Sequence, residues 1–143
     1  MTEFTAKISI LIDASKEKIW EALTNPDLVK RYFYGTNLIT DWKVGSPIIF
    51  RGEWQGQTYE DKGNVLEFIP NEKLVYNYWS TMSGLPDQPE LYQILTYELK
   101  KEEDGVALSI IQQNLDSETR MLHAEETWMP VLQGLKSIVE EEV

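Results

Sequence analysis

Between residues 41 and 113 the chain strings together DWKVGSPIIFRGEW, GNVLEFI, KLVYNYW, YQILTYELK and GVALSIIQQ, each short, rich in β-branched or aromatic residues, and parted from the next by Gly, Asn, Asp or Pro. Such a succession folds as an antiparallel meander. Several segments show which face is buried. Ile48, Phe50, Gly52 and Trp54 alternate with Ile49, Arg51, Glu53 and Gln55, so the first set points to the core. Leu95, Tyr97 and Leu99 share a side, as do Leu108 and Ile110. GNVLEFI resists this reading, because Val65 and Ile69 share a side with Glu67 while Leu66 and Phe68 share the other with Asn64.

Ahead of the meander, Phe4, Ala6, Ile8, Ile10 and Ile12 alternate with Thr5, Lys7, Ser9, Leu11 and Asp13, the period of a half-buried strand. Ser15 then caps a short helix, SKEKIWEALT, with Ile19, Trp20 and Leu23 on its apolar side. Asn25 and Pro26 stop it and open a second. The chain closes on a long amphipathic helix. Met121, Leu122, Trp128, Leu132, Leu135 and Val139 fall near one face, widened by Val131 and Ile138. Pro130 cannot donate to the carbonyl of Glu126, so it is expected to bend this helix, split it in two or mark its true start. Of the connections, KKEEDG reads as a solvated hairpin turn. WSTMSGLPDQPELY is too long for one and reads either as a lid or as a passive surface loop.

Composition narrows the function classes. A chain of 143 residues is the size of one domain, and we expect residues 1–143 to form one. A net charge of -11 without a compensating Lys/Arg cluster argues against nucleic acid and against an anionic membrane surface as partners. The lack of cysteine removes disulfides, thiolate nucleophiles and Cys-type metal sites. A lone histidine, His123, cannot build a multi-histidine metal site and no HExxH occurs, so neither a metal nor another cofactor is expected. No apolar run reaches bilayer length and no signal-like segment opens the sequence, which makes the cytoplasm the default location.

Strand, two short helices, meander and long helix, in that order, resemble the helix-grip fold of the SRPBCC (START-like) superfamily. More narrowly, ISILIDASKEKIWEALTNPDLVKRYF, DWKVGSPIIF, GNVLEFIPNEKLVYNY and TWMPVLQGLKSIVEE resemble the family named for homology to the activator of the heat-shock-protein-ninety ATPase. The resemblance covers essentially the whole chain and implies an α+β fold in which a six-stranded meander, with the first strand, wraps the last helix. It differs at Gly45, Ser46 and Pro47, where the family commonly has Gly-Gly, and at Thr127 and Trp128, where it commonly has Gly-Trp.

Such a fold implies a cavity between sheet and helix. Its expected lining here is Phe33, Trp42, Phe50, Trp54, Tyr76, Tyr78, Tyr97, Trp128 and Leu132, with Gln112, His123 and Glu125 as polar groups. Taken singly, each aromatic is more readily a core filler, but together the inward tyrosines argue for a cavity, since buried phenols need partners. His123 reads first as a partly exposed residue at a helix start, and second as a hydrogen-bonding group or base paired with Glu125 or Glu126. Three classes of function follow. The leading one is a cytosolic protein holding a small hydrophobic or aromatic molecule. The others are a stress-related, co-chaperone-like regulator acting on a chaperone or other protein partner, and an enzyme of the polyketide cyclase or aromatase kind, for which no catalytic residue can be named.

Overall fold

The computed structural model describes residues 4–80 and 84–141, apart from the side chains of Trp54 and Glu141. Its elements follow the expected order. Strand β1 (Phe4–Ile12) leads into helices α1 (Lys16–Thr24) and α2 (Pro26–Tyr32), and these are followed by the short strand β2 (Asn37–Ile39). The meander continues through β3 (Pro47–Trp54), β4 (Gln57–Ile69), β5 (Lys73–Tyr78), β6 (Gln93–Glu102) and β7 (Gly105–Leu115), and helix α3 (Glu118–Glu141) closes the fold. The seven strands form one antiparallel sheet in the order β1-β7-β6-β5-β4-β3-β2. The first strand therefore pairs with the last. This is the α+β helix-grip architecture, with β2 as the strand that no periodicity announces.

The helix caps act as read from the sequence. The Ser15 hydroxyl accepts from the Lys18 amide at 3.2 Å, and the Asn25 side chain, at the junction of the two helices, accepts from the Asp27 amide at 3.0 Å. Each satisfies an amide that a helix start leaves without an intrahelical partner. Helix α2 lies close to α3 at Gly134, where a Cβ would stand 3.2 Å from the Tyr32 Cβ.

Two irregularities in β4 explain what was hard to read. The β3–β4 hairpin turns on Gln55 and Gly56, both at positive φ (51° and 81°), as a two-residue type I′ turn requires. Strand β4 therefore starts at Gln57, earlier than the GNVLEFI segment, with polar residues that face the interior at Tyr59 and Asp61. The register with β5 then shifts between Val65 and Glu67. Up to this bulge the inward residues are odd-numbered (Asp61, Gly63, Val65); beyond it Phe68 turns inward and Leu66 is left 43% exposed. A strand whose inward phase changes midway has no single alternation to detect.

Helix α3 runs unbroken through Pro130, so the expectation of two pieces, or of a start at the proline, is corrected. Pro130 is exposed, and the carbonyl it cannot bond is that of Glu126, also exposed. Water can satisfy it. Leu122 is corrected as well. It is 48% exposed, because the buried face follows Ala124, Val131, Leu132, Leu135 and Val139, and Leu122 shares the opposite face with Met129, seven residues on. The C-terminal half of α3 is gripped: Leu132 and Leu135 are essentially inaccessible and pack in one cluster with Ile8, Ile12, Ile19, Leu108 and Ile110. At its end Glu140 accepts from the Asp13 backbone amide at 2.8 Å, tying the helix to the end of β1.

Candidate functional site

The N-terminal half of α3 is held off the sheet, and a cavity of about 260 Å³ lies beneath it. The helix contributes Arg120, His123, Ala124, Thr127, Trp128 and Val131 to the wall, spacings of three, one, three, one and three that keep to one helical face. Facing them are inward residues of β3 to β7: Phe50, Tyr59, Asp61, Tyr76, Tyr78, Gln93, Leu95, Gln112 and Leu115. The segment after α2 adds Phe33, Tyr34 and Thr36. Tyr34, His123 and Thr127 are exposed, which places the mouth beside the first turns of α3.

Trp128 anchors the helix over the sheet. Its ring meets Phe33 and Tyr97 edge-on, with centroids 5.6 and 5.9 Å away. Its indole Nε1–H donates to Gln112 Oε1 at 2.9 Å, and Gln112 Nε2 donates in turn to Gln93 Oε1. An indole nitrogen can only donate, so it sets the orientation of both amides, and the relay ends on the Gln93 amide nitrogen, a donor on the cavity wall.

Aromatic rings form the apolar wall. Phe50 lies 6.2 Å from Phe33, 5.5 Å from Tyr76 and 5.8 Å from Tyr78, ring centre to ring centre. Behind it the Tyr76 and Tyr97 hydroxyls share a 2.7 Å hydrogen bond. Burial above all pushes both phenols up from their ordinary pKa, and Tyr97 raises Tyr76 further.

A polar stripe crosses the same concave face. Tyr78 donates to the Asp61 carboxylate at 2.5 Å, and burial, reinforced by that negative charge, pushes the Tyr78 phenol up. Asp61 itself is only 7% exposed and stands opposite Phe50 in the β3–β4 register. Tyr78 stands opposite Gln93 across β5–β6. At the other end the Thr36 and Tyr59 hydroxyls share a 2.5 Å hydrogen bond, which the bare Gly52 makes room for: a Cβ there would stand 2.5 Å from Tyr59 Oη. Among the described residues, no buried side-chain nitrogen or oxygen lacks a partner. The polar groups of the cavity are thus oriented by one another.

Of the expected lining, Phe33, Phe50, Tyr76, Tyr78, Gln112, His123 and Trp128 meet around this cavity. Trp42, Tyr97 and Leu132 do not reach it. They lie one layer deeper, around an internal void of about 20 Å³. Trp42 acts there as a core residue, with its ring stacked 5.5 Å from Phe68 and its Nε1–H donating to the Thr24 carbonyl at 3.0 Å. Glu125 lines neither space. The Trp54 side chain lies outside the described residues. Asp61, Tyr59, Thr36, Gln93 and Arg120 were missed; the Gln55-Gly56 turn, followed by Tyr59 and Asp61 two residues apart, was the available signal for the first two.

Among the described residues of the long connection, none from Gly84 to Tyr92 lines the cavity. This stretch is fastened instead to the outside of the sheet, by Lys62 to Asp87 at 2.6 Å and by the Asn114 side-chain amide to the Tyr92 carbonyl at 2.9 Å. Residues 81–83 of the expected lid lie outside the described residues. Among the described residues, no group of three or more His, Cys, Asp or Glu is placed to hold a metal ion, and no helix is long and apolar enough to cross a membrane.

Comparison with known proteins decides the family. The family model described as "Activator of Hsp90 ATPase homolog 1-like protein" matches residues 13–140. The chain belongs to this family. Among solved structures, ChR145 from Cytophaga hutchinsonii is 40% identical, with a TM-score of 0.83 over 97% of this chain and 95% of that one. The Aha1 dimer from Colwellia psychrerythraea is 24% identical, with a TM-score of 0.75 over 96% of each chain. DynU16, from the dynemicin biosynthetic locus, is 14% identical, with a TM-score of 0.79 over 95% of this chain but 47% of its own, a likeness of fold alone. No curated protein matches the sequence.

Proposed function

We propose that this family member is a cytoplasmic binding protein that holds one small, largely aromatic molecule between the sheet and the first half of α3. The observation that carries the reading is the cavity itself: about 260 Å³ walled by Phe33, Phe50, Tyr76 and Trp128, with hydrogen-bonding groups already held in place on one side. Preorganised polar groups in an apolar concavity are what a small-molecule site needs, because they orient the ligand without being ordered at the moment of binding. The volume suits a molecule the size of a bicyclic aromatic, and the exposed Tyr34, His123 and Thr127 mark its entrance. Native mass spectrometry of protein purified gently from its own host tests this. A discrete extra mass that disappears on denaturation is the expected result; the bare chain alone in repeated preparations counts against it.

A second reading draws on the family description, that of an Hsp90 ATPase activator homologue. Leu122 and Met129, exposed on the outer face of α3, are the apolar surface such a regulator would present to a protein partner. Stimulation of the host chaperone's ATPase that is lost in Leu122→Asp, with the cavity intact, would favour it.

A further inference from the structure

Resting on the small-molecule reading, the geometry points to the chemical class of the ligand: we infer that the cavity selects an aromatic molecule bearing an amine, with its nitrogen at Asp61 and its ring against Phe33 and Trp128. Asp61 is a carboxylate 7% exposed on the wall of an aromatic cavity. Burying a carboxylate is costly unless its oxygens meet donors, and the Tyr78 hydroxyl at 2.5 Å is one donor built for it. Burial and the Asp61 charge both keep that phenol protonated, so it remains a donor and Asp61 remains the acceptor.

The surroundings favour positive charge. Phe50 stands opposite Asp61 in the strand register, and its ring centre lies 5.8 Å from that of Tyr78, so aromatic rings and a carboxylate bound the same corner. An ammonium group gains from the carboxylate through charge-assisted hydrogen bonding, and a flanking ring adds to this where it presents its face. A ligand carboxylate placed there meets like charge in a poorly hydrated site. Among the described lining residues the cationic side chain is Arg120, which belongs to the rim: it is 42% exposed and its Nε lies 2.9 Å from Asp116. The relay through Trp128 and Gln112 ends on the Gln93 amide nitrogen, across the strand pair from Tyr78, where a ligand carbonyl or hydroxyl oxygen would be received.

The experiment titrates the protein with three naphthalenes of one shape, bearing aminomethyl, hydroxymethyl or carboxylate at the same ring position, by calorimetry at neutral pH. The aminomethyl compound is expected to bind at least about tenfold more tightly than the carboxylate, the scale of one charge-assisted hydrogen bond. In Asp61→Asn that preference should fall to within about twofold, while binding of the alcohol shows that the cavity is intact. Equal or tighter binding of the carboxylate by the unaltered protein, or a preference that survives Asp61→Asn, overturns the inference. The ratio in the unaltered protein needs no variant, so the test stands even if Asp61→Asn does not fold. Saturable binding of the alcohol without amine preference refutes the ligand class alone; saturable binding of none of the three refutes the small-molecule reading with it.

Discussion

Replacing Trp128 with alanine tests whether the helix is held over the sheet by this one side chain. The structure allows the loss to be built up in parts. Two edge-on ring contacts, to Phe33 and Tyr97, are worth about 0.5 to 1.5 kcal/mol each. The hydrogen bond to Gln112 adds about 1 kcal/mol, and its loss also frees the amide relay to Gln93. These parts come to about 3 kcal/mol before the lost burial of a half-buried ring is added, so the whole cost should be at least about 3 kcal/mol, within the usual range for a Trp or Phe truncation. Trp128→Phe keeps a ring in place and removes the indole donor, so it should cost about 1 kcal/mol. Urea unfolding followed by far-ultraviolet circular dichroism measures both. With a slope of about 2 kcal/mol per molar, the midpoint should fall by at least about 1.5 M for alanine and by about 0.5 M for phenylalanine. An alanine variant within about 1 kcal/mol of the parent, or a phenylalanine variant as damaged as the alanine one, would show that Trp128 does not hold the helix through these contacts.

Pro130→Ala restores an N–H to an exposed mid-helix position facing the Glu126 carbonyl, so it should stabilise the protein by about 1 to 3 kcal/mol; a loss of stability on thermal unfolding would mean that the rest of the fold depends on the proline. Buried Tyr76 and Tyr97 and half-buried Tyr32 and Tyr78 all have phenols raised above their ordinary pKa, mainly by loss of hydration. A group raised in the folded state contributes its stability below the unfolded value, near 10, and loses it as pH climbs above that. Spectrophotometric titration should therefore show these four ionising only together with alkaline unfolding, and their smooth titration near pH 10 in a still-folded protein would contradict the burial assigned to them.

What could be read from the chain divides along physical lines. Caps at Ser15 and Asn25 are local chemistry, set by a side chain and an amide two or three residues on, and they appear where the residues stand. The inward phase of β3, β6 and β7 is also local, because Ile48 and Phe50, then Leu95, Tyr97 and Leu99, then Val106, Leu108 and Ile110 hold one face apolar over successive inward positions. Strand β4 is different. Its first half is polar on both faces, since its inward side is cavity rather than core, and its bulge at Leu66 reverses the phase halfway. The residues missed at the site, Tyr59 and Asp61, lie in that first half, so what hid the strand also hid the polar part of the site. Conversely, Trp42 and Leu132 have the composition of a pocket wall and sit behind it, because an aromatic or leucine on an inward face looks the same in sequence whether the space before it is filled or open. Trp42 at positive φ (62°) is turned into the core by a backbone conformation that no side-chain pattern predicts.

If the space under the first half of α3 is the binding site, filling it must weaken binding. Ala124 is buried on the cavity wall, and Ala124→Phe would fill the space from the helix side. Saturable binding of the neutral fluorophore N-phenyl-1-naphthylamine by the parent protein, weakened at least about tenfold in Ala124→Phe while the urea midpoint holds within about 0.5 M, is the predicted result. Binding of equal strength in a folded Ala124→Phe protein would place the site elsewhere and contradict the claim.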